Sequence, residues 1–268
     1  MSLTSGRADL HIHTAASDGI AGVAEILEHI AARTDLDVVA ITDHERIDAA
    51  LAARAMARTG GYRFEVIIGE EVTTRGGHLL GLFLEEPIRP FLSLRASIAA
   101  IHAQGGLAIP AHPLVPFPLC VSARSLRRLL EDADPSVHPD GLEVFNPTSA
   151  GRPWQPRVVA FAAEHGLAAL GSSDAHRPEH IGRGTTRFPG QDAEHLRAAI
   201  MARATAWEGT FHGPLEQVGM LGQQVRKYAR DVRAELSGRV RRDGTGRDLG
   251  YPGGRSRPAR FVDGEPGR

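Results

Sequence analysis

Two histidines spaced two residues apart are the first sign of chemistry in this chain. His11 and His13 stand in Asp9-Leu10-His11-Ile12-His13, a short stretch that reads as a strand, where residues two apart face the same side. Two imidazoles presented together suit one metal ion, bound through a neutral ring nitrogen. Asp18 lies in the polar turn that ends at Gly19, within reach of a neighbouring ion. Asp9 shares the histidines' face, and its expected role is to orient a ligand or to bond local backbone.

Four more blocks repeat the theme. Thr42-Asp43-His44 ends an apolar run; His44 is the expected ligand, with Asp43 bonding the loop. Glu70 and Glu71 are consecutive on a strand, so only one of them faces the site, and His78 follows seven residues after Glu71. His112 closes the strand that begins at Leu107, and Asp174 and His176, again two apart, follow Gly171. A lone histidine is more often hydrogen-bonded core than ligand, and a lone aspartate at a strand end is often a helix cap. The conjunction carries the argument, because strand ends in turn supply His-His, His, Glu, His and Asp-His. Mixed imidazole and carboxylate donors suit a hydrolytic centre of several ions. GxGxxG, GxxxxGK[ST] and GxSxG patterns are absent, which removes the usual support for dinucleotide, P-loop and serine-hydrolase chemistry.

The elements that must position these groups alternate. Apolar strand-like runs at 8–13, 36–41, 64–72, 78–84, 107–111, 141–145 and 167–171 are interleaved with helical patterns at 21–33, 48–58, 93–104, 122–131, 155–164 and 192–203. Such alternation predicts a largely parallel α/β fold, and in a parallel barrel the strands' C-terminal ends share one rim. The chain has 268 residues, a net charge of −1, 42% hydrophobic and 24% charged residues, an ordinary globular balance that gives no reason to expect nucleic-acid or membrane attraction. No apolar run is long enough for a membrane span. The N-terminal stretch lacks the basic-then-apolar layout of a secretory signal, and Cys120 is the single cysteine, so a reducing, cytoplasmic setting is expected. After residue 210 the character changes. Residues 211–236 read as a helical extension with one apolar seam, docked on the barrel or self-associating, and 237–268 as a basic Arg/Gly/Pro-rich tail expected to be disordered.

The blocks DLHIHTAASDG, ITDH, GEEVTT with GHLLGLFL, PAHP, GLEVFN and GSSDAH, in this order, resemble the PHP family (polymerase and histidinol phosphatase) of metal-dependent phosphoesterases over about residues 8 to 190. The resemblance implies a distorted (β/α)7 TIM-like barrel, a phosphoesterase domain over 8–210, and two or three divalent ions (Mn, Zn or Fe). It implies that His11, His13, Glu71 and Asp174 hold one ion, that Glu71, His78 and His112 hold a second, and that Asp18, His44 and His176 hold a third. The family's glutamate follows glycine after one intervening residue, which selects Glu71 over Glu70. Asp18 stands where some members carry histidine. Glu143 lies in a typical block but is not a usual ligand. The large insertion that nucleotide-hydrolysing relatives carry before the His-Pro motif is missing.

The implied substrate is a small phosphorylated molecule. A water bridging two dications becomes hydroxide near neutrality and attacks phosphorus in line, so no protein nucleophile is needed, and Glu71 and Asp174 count as catalytic through the ions they hold. Arg152, Arg177 and Arg183 fall in rim loops, where a guanidinium can clamp phosphate bidentately. Two rivals stand beside this reading. One is an amidohydrolase-like enzyme, whose carbamylated-lysine version is excluded because the single lysine, Lys227, lies outside the barrel. The other is a non-catalytic metal-binding domain.

Overall fold

A computed structural model describes residues 5–148, 150–213 and Glu216. The chain runs β1 (Ser5–Ile12), α1 (Val23–Arg33), β2 (Val38–Ile41), α2 (Asp48–Gly60), β3 (Glu65–Thr74) and β4 (Gly77–Leu82). It continues through α3 (Leu94–Ala103), β5 (Leu107–Pro110), α4 (Ala123–Leu130), β6 (Gly141–Phe145), α5 (Gln155–Glu164) and β7 (Ala168–Gly171). It closes with β8 (Gly184–Pro189), α6 (Ala193–Met201) and β9 (Ala206–Gly209). Local chemistry explains the boundaries. Ser93, Ser122 and Asp192 cap α3, α4 and α6 by accepting the backbone N–H three residues on, as short polar side chains do at helix starts. The expected helical extension and tail lie outside the described residues, apart from 211–213 and Glu216.

Alternation along the strands divides the core in two. Val39 and Ile41 of β2 pack with Ile26, Leu27 and Ile30 of α1 and the alanines of α2. Val38 and Ala40, on the other face, join Leu10, Ile67, Leu80, Ile109 and Leu170, with Leu196 and Ile200 of α6. All four residues of β2 are buried, which is why its sequence is an unbroken apolar run.

The fold is α/β, but the sheet is not the parallel seven-stranded ring that the alternation suggests. Seven strands form one curled sheet in the order β5-β4-β3-β2-β1-β8-β9, and β6-β7 form a separate parallel pair. Only β1-β2 and β2-β3 within the large sheet are parallel; β3-β4, β4-β5, β1-β8 and β8-β9 are antiparallel. For β3-β4 the cause is connection length. β3 and β4 are joined by Arg75-Gly76 alone, and a two-residue link permits only a hairpin. Hydrogen bonds tie the separate β6-β7 pair to the large sheet: Ala108 N donates to Asp140 Oδ2 (2.7 Å) just before β6, and Thr186 Oγ1 donates to Gly171 O (2.8 Å) of β7.

Candidate metal centre

The ladder breaks register twice, and each break sits at a polar residue of the centre. β1 slips against β2 between Asp9 and Ile12, around His11, and β6 slips against β7 between Glu143 and Phe145. Such irregularities re-aim side chains beside functional sites. Glu71 and His78 meet because β3 and β4 are a hairpin: Glu71 pairs with Leu80, which makes His78 its diagonal neighbour on the same face. His112 (φ 31°) and Asp174 (φ 49°) follow β5 and β7 in the left-handed region. That conformation costs a non-glycine residue about 1–3 kcal/mol and is tolerated where the surroundings enforce it.

Glu71 is the hub. Its Oε2 lies 3.3 Å from Nε2 of each of His11, His13 and His44, while its Oε1 lies 2.7 Å from His78 Nδ1 and 3.1 Å from His112 Nε2. Asp174 Oδ1 stands 3.5 Å from His11 Nε2 and 3.3 Å from His13 Nε2. Asp18 Oδ2 stands 2.9 Å from His176 Nε2 and 3.7 Å from His44 Nε2. All nine residues marked as ligand candidates in the sequence therefore converge. Their donor atoms fall into four overlapping groups able to hold an ion: His11-His13-Asp174, His13-His44-Glu71, His13-Asp18-His176 and Glu71-His78-His112.

The donor set fits metal ions on two counts. His11 Nε2, both ring nitrogens of His13 and His78 Nδ1 are buried and form no aligned hydrogen bond, although carboxylate oxygens lie 2.7–3.4 Å away, a costly arrangement for polar atoms that nothing coordinates. In addition, the separations of 3.3–3.5 Å around His11, His13, Glu71 and Asp174 match the ~3.4 Å between donors bound at ~2.1 Å in a tetrahedral shell.

Without ions, the imidazoles and carboxylates polarise one another. Burial alone would raise the Glu71 carboxyl, but His44, His11 and His78 hold it well below the usual carboxylate range. Asp174 is lowered in the same way, against burial, by His11 and His13. Burial works to lower His13, yet Asp18, Asp174 and Glu71 push it up to about 10.

The surrounding shell is built to hold ligands in place. Glu143 is buried; its Oε1 lies 2.9 Å from His11 Nδ1 and accepts from Ser172 Oγ at 2.6 Å, and its Oε2 accepts from His112 N at 2.6 Å. It thereby fixes the ring of one candidate ligand and the backbone of another, a role the sequence left unassigned. Asn146 Nδ2 bonds both Glu143 (3.2 Å) and Asp174 (3.1 Å). Asp9 accepts from Ser173 N (2.9 Å) and Gly182 N (2.8 Å), and Asp43 from Thr14 N (2.8 Å) and Thr14 Oγ1 (2.7 Å), so both work on backbone and loop. Glu70 turns away, accepts from Ile88 N at 2.8 Å, and is pushed by burial up to about 8.

The three rim arginines have partners elsewhere. Arg183 donates to Glu216 at 2.8 Å, Arg177 to Glu179 at 2.5 Å, and the Arg152 guanidinium lies over the Phe211 ring at 5.4 Å. A separate trio that the sequence did not flag, His180, His212 and Glu216, also gathers its donors. The Glu216 oxygen that faces both histidines is the one Arg183 bonds.

Comparison with known proteins bears on the fold and the family. Residues 153–205 match the model of a family described as PHP-associated. Uncharacterized protein MJ1587 of Methanocaldococcus jannaschii is 37% identical over 151 residues, which cover 52% of this chain and 81% of that protein. A two-domain protein of Bacteroides vulgatus containing a predicted PHP-like metal-dependent phosphoesterase superposes with a TM-score of 0.63 at 20% identity, over 84% of this chain and 70% of that one. An amidohydrolase of Chromobacterium violaceum, with bound sulfate and no metal, gives 0.55 at 20% identity over 74% and 97%. The chain belongs to the PHP family. Among the described residues no helix is long and apolar enough to cross a membrane.

Proposed function

We propose that this chain is a metal-dependent hydrolase that cleaves a phosphate monoester or diester at a centre of up to three divalent ions. The single observation that carries the reading is Glu71, whose two oxygens together face five imidazoles. In this reading His11, His13, Glu71 and Asp174 hold one ion, Glu71, His78 and His112 a second, and Asp18, His44 and His176 a third. The ions, when bound, lower the pKa of water and draw charge from the phosphate oxygens.

The chain's own residues do the rest. Glu71, with imidazoles at both of its oxygens, would be shared between two ions. Glu143 keeps the His11 ring aligned through Nδ1, and an acceptor on the far nitrogen sets which nitrogen is free to bind. Asp18, His44, His112 and Asp174, with 40%, 27%, 21% and 19% of their side chains exposed, are the candidate ligands on the open side where an ester would arrive. Arg152, Arg177 and Arg183 bind phosphate only after exchanging their present partners.

The test is a panel of phosphomonoesters, phosphodiesters and simple amides, assayed on protein stripped with chelator and then reloaded with manganese. Phosphate release that disappears on stripping and returns on reloading is expected. Amide cleavage without phosphate release would favour the second reading, an amidohydrolase, for which the likeness to the Chromobacterium violaceum fold is the supporting observation.

A further inference from the structure

A cavity of about 220 Å³ opens directly off the candidate centre. Its lining joins His112, Glu143 and Asp174 of the centre to an apolar wall that includes Val115, Phe117, Val144 and Val158. The apolar end is half built: Val144 and Val158 are buried, whereas Phe117 is 53% exposed at the mouth. Every charged residue of the lining belongs to the metal end, and none of the three rim arginines contributes to it. Of the uncharged polar lining, Asn146 already spends its amide on Glu143 and Asp174 and its carbonyl on Thr148, and the remaining side chains, Thr148 and Gln155, are neutral.

We infer that the substrate is a phosphate ester of a small apolar alcohol, with an aryl group the best fit, and that this cavity holds the leaving group. The inference rests on the phosphoesterase reading above and adds the substrate class to it. Charge complementarity sets the polarity. A second phosphate or a carboxylate would enter a wall with no cation to meet it, and a buried charge without a partner is costly. Size sets the scale. An apolar cavity of about 150 Å³ holds benzene, while drug-sized ligands need about 300–1,000 Å³, so one ring fits and a nucleoside does not. In the reaction, the oxygen of water bonds to phosphorus and the bond from phosphorus to the aryl oxygen breaks. The electron pair leaves on that oxygen, which takes a proton from solvent, giving inorganic phosphate and the phenol.

Two features make the inference testable. Cys120, the one thiol in the chain, is half-exposed and lines the cavity, so its alkylation reports occupancy without turnover. Gly151 lines the same space, and a Cβ added there meets only Thr148 O at 3.5 Å and Val115 Cγ2 at 3.9 Å, so a larger side chain fills the cavity without a clash at its base. With manganese-loaded protein, phenylphosphonate is expected to suppress iodoacetamide labelling of Cys120, read by intact mass, and methylphosphonate is not. Gly151→Phe is expected to lower kcat/KM for phenyl phosphate relative to methyl phosphate by about tenfold or more, the usual scale for a lost apolar contact of this size. Equal protection by both phosphonates, protection by neither, or an unchanged ratio in Gly151→Phe overturns the inference. If the phosphoesterase reading itself is wrong, neither ester releases phosphate while phenylphosphonate still shields Cys120.

Discussion

The Glu143 carboxylate lies 2.9 Å from Nδ1 of His11 while its other oxygen takes the backbone N–H of His112 at 2.6 Å. One buried side chain thus steers two residues that come from strands far apart in sequence. Removing it leaves both free to rotate. Glu143→Ala is expected to weaken metal binding by about 10- to 100-fold, the usual effect of losing a group that orients a ligand. Competition with a metal-sensitive dye measures this directly. A variant with wild-type affinity would show that Glu143 is ordinary core.

Asp174 and His13 sit at the heart of the donor set, 3.3 Å apart. His13→Ala and Asp174→Ala are expected to lose hydrolysis and at least one equivalent of metal by elemental analysis, while circular dichroism stays that of the parent. Full activity in both variants would remove these residues from the centre.

Glu70 and Glu71 are neighbours in β3 with opposite surroundings: five imidazoles around Glu71, and the Ile88 amide beside Glu70. Glu71→Gln removes the negative charge and leaves one neutral carbonyl oxygen in place of two carboxylate oxygens, so a fall in kcat of about a hundredfold or more is expected. Glu70→Gln should change kcat by less than about threefold. Steady-state kinetics on the two variants decide the matter, and the reverse ranking would mean that the wrong face of β3 has been assigned.

The same pair makes a pH prediction. Burial raises the Glu70 carboxyl from an ordinary 4.5 to about 8. A carboxyl raised on folding favours the native state while it is protonated. Its contribution is complete below about pH 4.5 and is lost as pH rises through about 8. The metal-loaded wild type is therefore expected to lose Tm across that window more steeply than Glu70→Gln. Melting curves taken from about pH 5 to 9 check the difference, and parallel slopes would contradict it.

Metal loading must also displace protons. His13 is pushed up to about 10 by Asp18, Asp174 and Glu71 against the effect of burial, so its imidazole carries a proton at pH 7 in the ion-free protein, and coordination requires the neutral ring. Calorimetric titration of manganese into stripped protein is expected to show proton release, seen as a heat that varies with the buffer's ionisation enthalpy. A buffer-independent heat would mean that the imidazoles are already neutral.

Much of the centre was legible in the sequence because its donors come in short runs. His11 and His13, or Asp174 and His176, announce a shared face by their spacing alone, and the glycine two positions before Glu71 marks it within its block. What was not legible depends on contacts across the fold. Glu143 looks like any strand residue until Ser172 and His112, 29 and 31 residues away, close around it. β8 and β9 were missed for a related reason. Gly184-Thr-Thr-Arg-Phe-Pro has no clear period, and Ala206-Trp-Glu-Gly is a partly exposed edge strand, so pairing rather than sequence pattern makes them strands. The parallel ring was expected because the pattern of alternating elements is silent about strand direction. The link of two residues after Thr74 decides it for β3 and β4.

That short link also sets how far the chain can vary. Arg75 and Gly76 look dispensable, an exposed and a half-buried residue at the tip of a ribbon. Yet the tip alone fixes which atoms of β4 stand across from β3, and a shift of one position sends every side chain to the opposite face. Lengthening it by a single residue would carry His78 away from Glu71 and leave the ribbon itself whole. This turn therefore behaves as a ruler whose graduations are two residues apart.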